Sequence, residues 1–266
     1  MTPRLLVRNA GEALGGEDEP TLIRLPREQA HYLTRVLRLT EGSALEVFDG
    51  AGARYLARLA QAGGEGCRIS IEAALPPSAP PTRSITLAQC LSSADKMDWT
   101  IEKAVELGVR RIIPLFSERS PVRFDAQRAT RKREHWQAII EAACMQCGED
   151  RLPELLEPSG LHQWLSGTSS LDALRLVLSP TGSLSLVECV STSGCADPSA
   201  GTGFPAQGAR PIELLVGPES GLSETEVALA TRAGWQPVRL GPRVLRTETA
   251  GLAALAAIAA IAGDFR

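Results

Sequence analysis

The chain has few aromatic side chains. Phe, Trp and Tyr make up 4% of its 266 residues, so the core must come from Leu, Ala, Val and Ile. Apolar content of 44% still supports a real core and argues against a globally disordered chain. Histidine is scarcer: His31, His135 and His162 stand alone, and no Ser-His-Asp or Cys-His arrangement is visible. The six cysteines lack paired spacing. With no signal-peptide pattern, reduced thiols and a cytoplasmic location are expected. Cys144 and Cys147 form a CxxC with no second pair or nearby His. That spacing reads as two small residues on a helix, and no metal is expected. The longest apolar helix candidate, residues 250–262, is too short to span a bilayer and reads as a buried, Ala-rich helix. No GxGxxG follows the early strand and no GxxxxGKS/T occurs. Dinucleotide and P-loop sites therefore lose their main support.

The net charge of −3 argues, taken alone, against a nucleic-acid partner, but electrostatic footprints are local. Between Arg110 and Arg133 eight basic residues meet only two acids, Glu118 and Asp125, for a local charge of +6. Such a run serves either a solvated face or an RNA partner. A second basic stripe lies on the helix expected at residues 27–39. There Arg27, His31, Arg35 and Arg38 recur at three- and four-residue spacing, opposite Ala30, Leu33 and Leu37. A stripe of this kind either faces water or tracks a phosphate backbone.

Pro76, Pro77, Pro80 and Pro81 mark a semi-rigid linker. The expected organisation is a small β domain over residues 1–75, a linker over 76–82 and a second domain over 83–266. In the first, residues 44–48 and 55–59 read as strands around the turn Asp49-Gly50-Ala51-Gly52, and 68–73 alternate as a half-buried strand does. In the second, strands at 85–91, 112–116, 174–178, 212–216 and 236–240 alternate with helices. The helices begin at Asp95 and cover 128–147, 223–233 and 249–262. That alternation predicts an α/β fold with a parallel sheet. Residues 191–210 are rich in Gly, Ser and Pro and read as a surface loop.

Two strand-to-helix segments carry the chemistry. Leu214-Leu215-Val216-Gly217-Pro218-Glu219-Ser220-Gly221-Leu222-Ser223 is the first. Its glycines let the backbone approach a flat ligand. It also reads as a turn in which Ser223 and Glu226 form a capping box. Leu240-Gly241-Pro242-Arg243-Val244-Leu245-Arg246-Thr247-Glu248-Thr249-Ala250 is the second. Two arginines at a helix start can bind a carboxylate or phosphate, or pair with Glu219 or Glu248. Thr247 or Thr249 can cap the helix. Loops of this kind converge on one ligand at the carboxyl edge of a parallel sheet.

These segments resemble the bacterial 16S ribosomal RNA uridine-N3 methyltransferases, the RsmE group of the SPOUT superfamily. The likeness spans nearly the whole chain. It includes His31 and Arg35-Val36-Leu37-Arg38, Phe48-Asp49-Gly50, Lys96-Met97, Glu106-Leu107-Gly108-Val109 and Pro114-Leu115-Phe116-Ser117-Glu118-Arg119. It continues through Gln146-Cys147-Gly148, Arg151 and Pro153-Glu154. The resemblance implies a PUA-like RNA-binding β-barrel followed by a SPOUT methyltransferase domain with a C-terminal trefoil knot. It implies a homodimer acting on 16S rRNA or the small ribosomal subunit, with S-adenosyl-L-methionine as cofactor. By position, cofactor contacts fall on Leu178, Ser179 and Pro180, on Val216, Gly217, Pro218, Glu219 and Gly221, and on Leu240, Gly241, Val244, Leu245, Arg246 and Thr247. RNA contacts fall on Arg27, His31, Arg35, Arg38, Arg119, Arg123 and Arg131. Ser220 departs from the family's usual Gly. Met145 and Glu149 stand where Glu and Arg are common, so no role carries over to them.

The implied reaction places a methyl group on a uridine N3. That imide nitrogen must lose its proton, and the charge spreads to O2 and O4. Arg246 is the first candidate to meet that charge and Arg243 the second; either could instead clamp the cofactor's carboxylate. Glu219 and Glu248 are possible bases. A non-enzymatic RNA-binding or ribosome-assembly protein would need the basic surfaces but not the two loops. A related enzyme could act elsewhere on RNA, such as a ribose 2′-hydroxyl.

Overall fold

The structure, a computed structural model, describes residues 2–13, 22–63, 66–79, 81–167, 172–192, 210–262 and 264–265. Pro80 of the linker and residues 193–209 of the expected 191–210 loop lie outside them. The chain forms two compact units, Met1–Ala79 with Cys144–Leu152, and Pro80–Ala143 with Pro153–Arg266.

The first unit is built on β1 (Arg4–Leu6), β2 (Leu22–Arg24), β3 (Ala44–Phe48), β4 (Arg54–Gly63) and β5 (Gly66–Leu75), in the order β1-β3-β4-β5-β2. Tyr55, Ala57 and Leu59 of β4 and Cys67, Ile69 and Ile71 of β5 are buried, the alternation that puts one strand face in a core. Leu5, Leu45 and Val47 join them. The β3–β4 turn forms where expected. Asp49 Oδ1 accepts from the amides of Ala51, Gly52 and Ala53 at 2.7, 3.0 and 3.0 Å. Gly52 is required there, since its φ is 110° and the space of a Cβ is filled by the Arg151 guanidinium.

The sequence reading did not assign residues 144–152 to this unit. Asp150 draws them in. Its carboxylate, 1% exposed, takes the Arg4 guanidinium and the Ser78 hydroxyl, and the Leu152 amide donates to Gly50 O at 2.9 Å.

The expected 27–39 helix is also different. Only α1 (Arg27–His31) is α-helical; Tyr32–Val36 widens into a π turn, with Leu37 N donating to Tyr32 O at 2.9 Å. Thr34 Oγ1 donates to Ala30 O at 2.8 Å, a back-bond that competes with the α-helical amide. Leu33 still reaches the core, and Arg27, His31, Arg35 and Arg38 remain exposed.

The second unit begins with β6 (Ile85–Cys90), α2 (Ala94–Glu106), β7 (Arg111–Phe116) and α3 (Ala126–Cys147). Of α3, the residues up to Ala143 belong to this unit. Then come β8 (Glu154–Leu155), β9 (Ser159–Gly160), α4 (Leu161–Gly167), β10 (Leu174–Leu178), β11 (Leu184–Ser185) and α5 (Leu186–Thr192). The last elements are β12 (Ile212–Val216), α6 (Glu224–Arg232), β13 (Gln236–Arg239) and α7 (Thr247–Ala262). The strands pair in parallel in the order β11-β13-β10-β12-β6-β7-β8, with β9 on β7.

Because every pair is parallel, all strands end on one edge. β13, β10 and β12 are neighbours, so the segments that follow them must emerge side by side there. The central strands β6, β10 and β12 are apolar and largely buried, as expected for a sheet covered on both faces. Small residues bring α7 close to the sheet: a Cβ on Gly251 would stand 3.3 Å from Gln89 Oε1.

Candidate active site

The edge formed by β10, β12 and β13 encloses a cavity of about 690 Å³. Its wall includes Leu178, Ser179 and Pro180 after β10, and Val216, Gly217, Pro218, Glu219 and Gly221 after β12. Leu240, Gly241, Arg243, Val244, Leu245 and Thr247 complete the third side. Three segments selected from the sequence, more than 60 residues apart at the extremes, therefore share one hollow. A volume of this size suits a small organic ligand.

The wall geometry follows from local chemistry. Ser223 caps α6, and its capping box with Glu226 is complete: Glu226 N donates to Ser223 Oγ at 3.1 Å and Ser223 N to Glu226 Oε2 at 2.9 Å. Gly221 carries the left-handed turn at φ 71°, closed by its amide on Pro218 O at 2.9 Å. Gly217 has no room for a side chain, since a Cβ would lie 3.0 Å from Leu222 N. Ser220 is not at positive φ, so serine fits without strain. Its hydroxyl donates to Arg119 O at 3.1 Å, and Arg119 Nη1 returns a bond to Ser220 O at 3.2 Å.

Arg246 differs from its expected cofactor-lining place. It is exposed and absent from the cavity wall. The cause is the start of α7 at Thr247, two residues earlier than the sequence suggested: Ala250 N donates to Arg246 O at 2.7 Å, which makes Arg246 the cap position. Thr249 is exposed inside the helix. Thr247 is buried, with its hydroxyl donating to Gly217 O at 2.5 Å and accepting from Gln89 Nε2 at 3.0 Å. Neither Arg243 nor Arg246 pairs with Glu219 or Glu248. Both acids go instead to Lys96, whose Nζ is 3.4 Å from Glu219 Oε1 and 3.6 Å from Glu248 Oε2.

Lys96 was missed as a site residue. A signal was available, since a cation in the first turn of a helix is unfavourable unless something compensates. Ser93 N also donates to Glu219 Oε1, at 3.2 Å. Burial pushes the Glu219 pKa up. Its own backbone amide, the Ser93 amide and Lys96 outweigh that and hold it below the usual carboxylate range.

The other selected basic residues are dispersed. Arg27, His31, Arg35 and Arg38 are on the first unit, and Arg38 adopts φ 54°. On the second unit, Arg119 is committed to the 220–222 backbone. Arg123 donates to Ser117 O at 2.7 Å and lies over the Phe116 ring, while Arg131 is exposed. Glu118, His162 and Glu226 gather within 4.8 Å. Both Glu226 oxygens already accept backbone amides, from Glu118 and Ser223, so the group serves as a cap. Hydrogen bonding from Ser223, aided by Thr225 and His162 against the effect of burial, lowers the Glu118 pKa.

A family model for the RNA methyltransferase domain matches residues 79–259, and one for the RNA methyltransferase PUA domain matches residues 25–72. The ribosomal RNA small subunit methyltransferase E of Buchnera aphidicola is 30% identical over 243 residues, 91% of this chain and 92% of that protein. The protein of the same name from Bacillus subtilis is 29% identical over 241 residues, 90% of each. Among solved structures, the Neisseria gonorrhoeae methyltransferase E bound to S-adenosyl methionine superposes with a TM-score of 0.80 at 32% identity, covering 100% of both chains. A Legionella pneumophila methyltransferase in complex with the same cofactor gives 0.80 at 30% identity, covering 98% of both.

Proposed function

The chain belongs to the RNA methyltransferase domain family, with that family's PUA domain in its N-terminal part, and from that premise we propose that it methylates N3 of a uridine in 16S ribosomal RNA with S-adenosylmethionine. The observation that carries this reading is the meeting of three strand-end segments in one 690 Å³ cavity. Its chemistry suits the cofactor. Gly217 and Gly221 bring side-chain-free backbone up to a flat ligand, Leu240, Val244 and Leu245 offer apolar wall, and Arg243 offers a guanidinium with no ion pair among the described residues. These residues, with Leu178, Ser179, Pro180 and Thr247, would hold the cofactor. When bound, it supplies an electrophilic methyl group.

The rest falls to the chain's own residues. They must hold N3 in line with that methyl and meet the charge that grows on the pyrimidine oxygens. Arg243, on the wall, is assigned to the cofactor's carboxylate. Arg246, outside the wall and free of ion pairs among the described residues, is assigned to the pyrimidine. Glu219 is a weak proton acceptor, because its amide and Lys96 contacts favour the ionised form.

The same reading makes the working unit a homodimer with a cavity near each subunit interface. The 79% exposure of Val244 on the cavity wall supports this, since a partner would remove that side chain from water. A trefoil knot in the C-terminal part and a cytoplasmic location belong to the reading as well. No described helix is long and apolar enough to cross a membrane.

The test is methyl transfer from labelled cofactor to small-subunit RNA and to assembled small subunits, followed by mass spectrometry of the nucleosides. N3-methyluridine is expected. A ribose-methylated nucleoside would move the target, and transfer to no RNA would overturn the reading.

A further inference from the structure

Residues 91–97 separate the active-site cavity from a second one. On one side, Ser93 N and Lys96 Nζ reach Glu219 on the active-site wall. On the other, Leu91, Ser92, Ala94 and Met97 line a hollow of about 450 Å³. Its remaining wall comes from Val122, Arg123 and Phe124 after β7, and from α3.

The second hollow has two contrasting parts. Leu91, Met97, Phe124 and Trp136 supply apolar and aromatic surface. Trp136 is fixed by its Nε1–H on Asp98 Oδ1 at 2.9 Å, and its ring centroid is 6.2 Å from that of Phe124. Arg128, Arg131 and Lys132 supply cationic groups, and no side-chain hydrogen bond or ion pair holds any of the three among the described residues. Two further side chains on the wall are already occupied: the Arg123 guanidinium on Ser117 O, and the His135 ring on Asp98 Oδ2 at 2.7 Å. No acidic residue lines the hollow. A bare anion would need no aromatic surface, and an apolar peptide would need no free cations. A nucleotide needs both: a flat face for stacking and a phosphate for the cations.

We propose that this cavity takes one nucleotide of the RNA strand beside the methylated residue, with its base on the Phe124 side and its phosphate on Arg128, Arg131 and Lys132. The proposal rests on the RNA-methylation reading, and it names where the strand runs once its target base enters the first cavity. Holding a neighbouring nucleotide here would keep the target displayed out of its stack.

The test uses the full chain with small-subunit RNA carrying 4-thiouridine. Photo-crosslinks are expected within residues 91–97 and 122–136. Arg131→Ala and Lys132→Ala should each lower the log–log salt slope of RNA binding by about 0.7. Phe124→Leu keeps apolar bulk but loses the flat face, and should raise the KM for RNA about tenfold. All three should keep wild-type cofactor affinity, which reports an intact fold. If Phe124→Leu fails to fold, the Arg131 and Lys132 variants, at an exposed and a half-buried position, still decide. Wild-type RNA affinity and slope in those variants, or crosslinks only elsewhere, would overturn the proposal. A protein that crosslinks here yet methylates no RNA would keep the pocket and remove the methyltransferase reading; methylation without these crosslinks would do the reverse.

Discussion

The Thr247 hydroxyl donates to the Gly217 carbonyl oxygen, joining the loop after β12 to the first turn of α7. The Thr247 hydroxyl oxygen in turn accepts from Gln89 Nε2, on a side chain 1% exposed whose Oε1 has no partner among the described residues. Thr247→Val keeps the shape and removes both bonds. The loss leaves buried polar groups unpaired, which costs about 1–3 kcal/mol. Denaturant unfolding should show a drop in that range, and calorimetry should show weaker cofactor binding because Gly217 is no longer held. Thr249→Val, on an exposed position of the same helix, should leave both unchanged.

Arg243 and Arg246 should separate into two phenotypes. Arg246→Ala should lower single-turnover methyl transfer by about a hundredfold or more, the scale of losing one donor to developing charge, with cofactor affinity little changed. Arg246→Lys should not restore full activity, because a point charge on a flexible stem lacks the planar fork. Arg243→Ala should mainly weaken cofactor binding. Rates and dissociation constants measured on the same variants decide. The reverse split would exchange the two assignments, and wild-type values for Arg246→Ala would remove it from the site.

What was legible in the sequence was local. Ser223 and Glu226 announce a helix start because the capping box needs only residues three apart. The apolar runs 174–178 and 212–216 fall on β10 and β12 because central parallel strands are buried on both faces. The loops themselves were visible because Gly and Pro punctuate strand ends. What stayed hidden depends on partners distant in sequence. β1 and β2 are three residues each, too short for a period. Asp150 meets Arg4 across 146 positions. The Lys96 contacts with Glu219 and Glu248 take the place of the ion pairs that sequence proximity suggested for Arg243 and Arg246. The start of α7 lies two residues earlier than the sequence suggested, which puts Arg246 at the cap position rather than in the loop.

Glu219 makes stability depend on pH. Its folded pKa lies below the usual carboxylate range, so the fold favours the ionised form. That contribution is fully present above the ordinary value and is lost as pH falls through the lowered one. Wild type should therefore have a higher thermal midpoint than Glu219→Gln at neutral pH, and the gap should close on acidification through the lowered pKa. A gap that stays constant through that range would show that the Ser93 and Lys96 contacts do not hold the charge.

Arg4 and Asp150 form a pair with side chains 7% and 1% exposed. Removing Asp150 leaves the buried Arg4 guanidinium with Glu46 as its one carboxylate, at 2.9 Å, and leaves the Ser78 hydroxyl without its acceptor. Asp150→Ala should cost about 3–5 kcal/mol of unfolding free energy. Glu72→Gln breaks the exposed Arg58–Glu72 pair and should leave the midpoint of urea unfolding unchanged. Equal effects of the two variants would mean that burial does not set the strength of the Arg4 pair.

The stripe on the first unit gives the last prediction. Arg27, Arg35 and Arg38 are exposed, and Arg38 is the one described non-glycine residue at positive φ, 54°. That conformation costs free energy for a side chain with a Cβ, and it follows the π turn that replaces α-helix after His31. If this backbone is maintained to present guanidinium groups to phosphates, each lost contact should reduce the log–log slope of RNA affinity against salt. The decrease should be about 0.9 on duplex sites or about 0.7 on single strands. Arg38→Gly separates charge from backbone, because glycine accepts the same φ without strain. It should stabilise the unit or leave it unchanged while weakening RNA binding and flattening the slope. Arg27→Ala and Arg35→Ala should flatten the slope with stability unchanged. RNA affinity and slope at wild-type values in all three variants would make the stripe a solvated face, and RNA docking would then fall to the second unit's basic groups alone.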